Sequence, residues 1–199
     1  MLMAGRPRSF DREAALRTAM NRFWSDGYDE TTVAVLTRDI GISAPSLYAA
    51  FGDKDELFEA AAACYSGTAN AVLEELLDRP TAREAVAAVV RVSAEGYSAP
   101  GTPAGCFVLS EPRLEARRRE MEALIAARVE RGIEEGDVPP ETDAGSVAAF
   151  VVAVLSGMST QARDGAPADR IAGIGELALG ALPAATGGRA AGRTQKAPG

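Results

Sequence analysis

Residues 31–58 read TTVAVLTRDIGISAPSLYAAFGDKDELF. The punctuation of this stretch decides the fold. Thr31 and Thr32 offer hydroxyls to cap a helix over about residues 33–39, with Val33, Leu36 and Ile40 facing inward. Gly41 breaks the chain, and Ser43 caps a short helix that tolerates Pro45 in its first turn and runs to about Ala50. Gly52 interrupts again. Asp53, followed three residues later by Glu56, forms a capping-box pattern that opens a long helix over about residues 54–78. Two short helices around Gly41-Ile42-Ser43 predict a helix-turn-helix, a unit whose second helix enters the DNA major groove while neighbouring elements hold phosphates.

Working outward, nearly every periodic segment is helical. Ala14, Ala15, Ala19, Phe23 and Trp24 recur at three- and four-residue steps, giving one apolar face over residues 11–26, and Gly27 ends that helix as a C-cap. After Pro80, Thr81 caps a helix through about Ser98, followed by a Pro- and Gly-rich loop, APGTPAG, at residues 99–105. Further helices fit residues 106–110, 112–135, 143–164 and 167–182. With no alternating strand pattern and no internal repeat, the chain reads as all-α. The expected division is a helix-turn-helix DNA-binding domain with a basic arm at residues 1–60, a helical regulatory and dimerisation bundle at 61–182, and a flexible tail at 183–199.

Composition removes much chemistry. The 199 residues carry 28 acidic and 21 basic side chains, no histidine and two cysteines. Without histidine there is no Ser-His-Asp or Cys-His nucleophile system, no histidine metal site and no histidine pH switch. Cys64 and Cys106 have neither zinc nor redox spacing, so reduced thiols in a cytoplasmic protein are expected, with no metal and no cofactor. The start, MLMAGRPRSF, has no apolar stretch of signal-peptide length. The most apolar run, residues 147–155, is nine residues long, about half a membrane span, and reads as a buried helix rather than a membrane segment.

A net charge of −7 argues against a surface that binds nucleic acid everywhere. The first 24 residues, however, hold five arginines against Asp11 and Glu13, a local basic arm on an acidic body. DNA contact therefore falls to a few placed residues. Arg6 and Arg8 suit phosphates. Ser43, Ala44, Pro45 and Ser46 are small enough to bring a helix close to base edges. Tyr48 can set a ring against sugar or a thymine methyl, and Thr32 and Thr37 can add hydroxyl contacts. Lys54 sits where a helix N-terminus already favours a phosphate.

These residues together resemble the N-terminal domain of the TetR family of bacterial transcription regulators. The likeness rests on the arm GRPR, the apolar pattern of residues 14–23, Gly27-Tyr28, Thr31-Thr32, Gly41-Ile42-Ser43, Ser46-Leu47-Tyr48, Phe51 and Lys54-Asp55-Glu56-Leu57-Phe58. Gly105-Cys106-Phe107-Val108, Glu135-Gly136-Asp137 and Gly157-Met158-Ser159 resemble one C-terminal branch. Ala49-Ala50 and Gly52-Asp53 depart from the more aromatic or basic residues often found there, and residues 1–60 hold 7 basic against 10 acidic side chains. The resemblance implies a homodimer on a double-stranded, palindromic DNA operator, usually a repressor, released by a small molecule bound in the C-terminal domain.

For the dimer, the resemblance points to the last two long helices, with Val147, Val151, Val154, Leu155, Ile174 and Leu177 as interface candidates. For an effector, taken to be mainly apolar, the candidates are Cys64, Tyr65, Tyr97, Phe107, Met121, Phe150 and Met158. The long helix from Lys54 is expected to be the only long element touching both DNA-binding and regulatory parts. Two other readings stand beside this one. A helical enzyme lacks a phosphate-binding glycine loop as well as histidine. A helical protein–protein module without DNA binding would need neither the basic arm nor a helix that begins on a lysine.

Overall fold

The computed structural model describes residues 10–182 and has no strand among them. The expected arm residues Arg6 and Arg8 and the expected tail at 183–199 lie outside the described residues. The α-helices are α1 (Arg12–Asp26), α2 (Val33–Ile40), α3 (Ala44–Phe51), α4 (Lys54–Leu77), α5 (Ala82–Tyr97), α6 (Phe107–Ser110), α7 (Glu115–Glu135), α8 (Ala144–Arg163) and α9 (Ala168–Gly180). The chain is all-α, with an N-terminal helix-turn-helix unit and a C-terminal helical bundle.

Side-chain caps set the starts. Asp11, Ser43, Asp53, Thr81 and Asp143 each accept a backbone N–H of the first turn that follows, and Asp53/Glu56 and Thr81/Glu84 close full capping boxes. Two details depart from the sequence reading. Thr32 alone caps α2; Thr31 is fully buried, and its hydroxyl donates to the Gly27 carbonyl at 2.7 Å, closing the α1–α2 turn. The helix expected from Pro112 starts instead as a 3-10 turn, Pro112–Leu114, because the Glu111 carboxylate takes the Arg113 N–H at 3.1 Å and holds that turn tight.

In the N-terminal unit α1 lies along α4, while α2 and α3 close the other side. In the bundle α8 packs against α5, α7 and α9. At 20 residues with mean hydropathy 1.4, α8 is long and apolar enough to cross a membrane by length and composition. Here it is a core helix, with Ala148, Val151, Leu155 and Met158 buried.

The two parts share an aromatic chain. Phe58 of α4 meets Phe23 of α1 edge-on at 5.2 Å between ring centroids, Tyr28 at 5.1 Å and Phe107 of α6 at 5.9 Å. Phe107 continues to Tyr65 at 5.7 Å, and Tyr65 to Trp24 at 5.0 Å. Edge-to-face pairs add to the burial of apolar area. Gly105, at φ +79°, lets α6 come in so close: a Cβ there would stand 2.7 Å from the Ser159 hydroxyl and 2.8 Å from its carbonyl oxygen. The next N–H, that of Cys106, donates to the Ser159 hydroxyl at 2.8 Å.

Since Phe58 joins both parts, Phe58→Ala is expected to cost about 3–5 kcal/mol and to lower the melting of the whole chain. Chemical denaturation followed by circular dichroism checks this; a lost N-terminal transition beside an unchanged bundle would contradict it.

Candidate nucleic-acid interface and ligand cleft

The turn between α2 and α3 is set by Gly41, which adopts left-handed geometry at φ +78° and donates its N–H to Thr37. Leu47 and Phe51 hold α3 to the core, so its opposite face looks outward. That face carries Ser43, Pro45, Tyr48 and Ala49, all exposed, with Ala44 and Ser46 half-buried beside them. Ser43 and Ser46 share a hydroxyl–hydroxyl hydrogen bond of 2.9 Å, and Tyr48 is free at 48 % exposure. Thr32 is exposed; Thr37 is half-buried and spends its hydroxyl on the Ala34 carbonyl at 3.1 Å.

Lys54 stands at the first turn of α4, as expected, but its Nζ lies 3.9 Å from the centroid of the Tyr28 ring. Arg113, from beyond α6, lies over the same ring at 3.8 Å. The Tyr28 hydroxyl donates to Asp55 at 2.6 Å, and Arg113 pairs with the same carboxylate at 2.7 Å. The Tyr28 hydrogen bond, joined by the Arg113 charge, holds the Asp55 carboxyl below its usual range, while that bond and burial push the Tyr28 hydroxyl up. Lys54 thus rests on a ring of the N-terminal unit that Arg113 of the bundle also contacts. Sequence reading missed Arg113 and Glu111, for a lone Arg or Glu in a loop carries no periodic signal.

Glu111 is buried, and its carboxylate receives the Tyr28 N–H at 2.9 Å. Arg163, at the end of α8, donates to the Trp24 and Ser25 carbonyls at 2.8 and 3.1 Å. The sequence reading made α4 the only long link between the parts; α8 is a second one, and the Glu111–Arg113 segment a third, shorter tether.

Between α1, α4, α5 and α7 lies a cleft of about 520 Å³. Cys64, Tyr65, Tyr97 and Met121 line it, as the sequence reading placed them. Phe107 sits behind Tyr65 in the aromatic chain, Met158 is buried against Gly175 of α9, and Phe150 is 40 % exposed on the outside of α8, so none of these three is among the lining residues. Residues not foreseen include Met20, Val72, Val92 and Cys106. Glu13 and Arg17, at exposed positions of α1, also border the cleft and pair with one another.

The candidate interface residues also divide. Val151 and Leu155 point into the core, and Leu155 lines the cleft. They therefore cannot form an outer face, since along one helix the steps of 100° that bury them turn Phe150 and Val154 elsewhere. Leu177 is 81 % exposed on α9, with Val147, Val154 and Ile174 half-buried.

A family model described as bacterial regulatory proteins, tetR family, matches residues 15–61. The HTH-type transcriptional repressor ComR of Escherichia coli (strain K12) is 32% identical over 197 residues, covering 90% of this chain and 92% of that protein. The chain belongs to the TetR family. BdcR, an HTH-type transcriptional repressor of the same organism, is 35% identical over 181 residues, covering 87% and 90%. In three dimensions the chain is similar to a cysteine mutant of the TetR family transcriptional regulator CifR complexed with 26-bp double-strand operator DNA. That similarity has a TM-score of 0.86 and 39% identity, covering 90% of this chain and all of that one. This TetR-family protein is thus a DNA-binding transcriptional regulator and not an enzyme.

One ion-pair network joins α1 and α2 in the helix-turn-helix unit of this TetR-family regulator. Asp39 of α2 receives Arg38 and Arg22, and Arg22 also reaches Asp26 at 2.9 Å. The Arg38 hydrogen bond, with that of Arg22, holds the Asp39 carboxyl below its ordinary value. A depressed carboxylate contributes stability that is present above the unfolded pKa of about 3.9 and is lost as pH falls through the folded value. Asp39→Asn is therefore expected to lower Tm at neutral pH and to make the decline of Tm below about pH 4 shallower than in wild type. Thermal melts from neutral pH to below pH 3 check it, as roughly parallel acid limbs would refute the assignment.

Proposed function

We propose that this regulator is a homodimeric, cytoplasmic repressor that leaves a palindromic operator when a small, mainly apolar molecule fills the α1–α4–α5–α7 cleft. One observation carries the reading: the cleft has α1 and α4 among its walls, so what fills it presses on elements of the DNA-binding unit itself. Its volume lies within the range of about 300–1,000 Å³ common to small-molecule sites. The repressor role is supported by the similarity to ComR and BdcR, and operator binding by the similarity to the CifR complex.

The working division is residues 1–60 for DNA and 61–182 for ligand and dimer. The outer face of α8 and α9 supports the dimer: Phe150 and Leu177 stand exposed there, among the small residues Ala149, Ala153, Gly157 and Gly173, which allow close helix approach. A two-fold dimer presents two α3 helices, which must sit about one DNA turn, roughly 34–36 Å, apart to enter successive major grooves. A ligand that fits only one disposition of α4 and the Glu111–Arg113 tether biases that spacing.

Gel shifts on DNA upstream of the gene test the reading directly. Lys54→Ala is expected to weaken binding to all sequences and to flatten the salt dependence by about one phosphate equivalent. Ser46→Ala should instead change which operators are preferred. An unchanged affinity and salt slope for Lys54→Ala would displace α4 from the DNA.

For the dimer, Leu177→Asp is expected to halve the sedimenting mass while leaving the fold intact, because the side chain is free in the protomer. Val151→Asp buries a charge and should unfold the protein instead. Wild type sedimenting as a monomer at micromolar concentration would remove the dimer.

A further inference from the structure

The cleft wall is mostly apolar, and its uncharged polar lining residues include Tyr65, Thr68, Asn70, Ser93 and Tyr97 beside Cys106. The Tyr65 hydroxyl donates to the Cys106 sulfur at 3.3 Å. Around them the wall is apolar, with Met20, Val72, Leu73 and Val89 among its residues. We propose that the cleft takes an uncharged molecule with an apolar body and one oxygen acceptor, whose oxygen is bound by the Tyr65 and Tyr97 hydroxyls. This rests on the cleft being the effector site.

Three observations lead there. First, a thiol is a weak acceptor, so the Tyr65 hydroxyl is spent on a poor partner and an oxygen replaces it with a net gain. Cys106 itself stays in place, because its N–H is held by Ser159 and Gly105 donates to the Tyr97 carbonyl. Second, burial pushes both tyrosine hydroxyls and the Cys106 thiol up, so all three remain protonated donors across the neutral range. Third, the cleft offers no free charge: its charged lining residues, Glu13 and Arg17, neutralise one another on exposed positions of α1. A charged ligand would lose its water without meeting an unpaired opposite charge. A neutral acceptor such as a ketone loses little and gains two donors.

The test uses the full chain without DNA, titrated with benzylacetone, butylbenzene or phenylbutyrate. Trp24, the chain's one tryptophan, stacks edge-on against Tyr65 and reports binding by fluorescence. Benzylacetone is expected to bind about three- to tenfold more tightly than butylbenzene, the value of a net hydrogen bond, and phenylbutyrate more weakly than either. Tyr65→Phe and Tyr97→Phe should each bring benzylacetone down towards butylbenzene without moving butylbenzene, circular dichroism confirming the fold. Equal binding of ketone and hydrocarbon, or equal effects of the two variants on both, overturns the acceptor assignment and leaves the effector cleft standing. Tightest binding by phenylbutyrate overturns the neutral-ligand inference. No binding by any of the three overturns the inference and the cleft reading together, while gel shifts judge the DNA-binding role separately.

Discussion

The ring of Phe58 is the contact on which the rest of this structure depends. It is fully buried at the start of α4 and touches Phe23 of α1, Tyr28 of the following turn and Phe107 of α6. Three edges against one ring fix the angle at which α4 leaves the DNA-binding unit, since interiors packed to crystal-like density have discrete arrangements rather than a continuous range. Phe107 can reach it only because Gly105 brings α6 against Ser159 without a side chain in the way. A glycine on a loop thus decides the setting of a helix far from it in the chain.

Polar contacts finish what the aromatic contact begins. Glu111 is a buried carboxylate, yet both of its oxygens receive backbone N–H groups, from Tyr28 and from Arg113. Both oxygens of this buried side chain thus have hydrogen-bond partners, as burial of a polar group requires. Arg113 then lies over the Tyr28 ring and pairs with Asp55, one residue from Lys54. The arrangement ties Lys54 to a segment whose other end, Cys106, lines the cleft. Charge economy is consistent with this. An acidic chain of net charge −7 has little general attraction for DNA, so placing a few cations well matters more than their number.

The face of α8 and α9 obeys a different constraint. α8 is apolar on more than one side, and the bundle covers only the side that holds Val151, Leu155 and Met158. Phe150 on α8 and Leu177 on α9 remain outside it. An exposed apolar face of this kind is the feature on which the proposed dimer rests.

By itself the amino-acid sequence determined the helices and most of their ends. Caps such as Ser43, Asp53 and Thr81, and stops such as Gly27, Gly41 and Gly52, act through bonds within a few residues, so they are legible without knowing the fold. The helix-turn-helix and the outward face of α3 follow from the same local rules. The cleft was half legible: Cys64, Tyr65, Tyr97 and Met121 line it, but Phe107, Phe150 and Met158 do not. Only the tertiary structure decided which neighbour covers each apolar face, and hence that Val151 and Leu155 turn inward. It alone brought Glu111 and Arg113 to Tyr28, 83 and 85 positions earlier in the chain. Periodicity shows that a helix has an apolar side, but the partner for that side lies on another helix, and no local spacing names it.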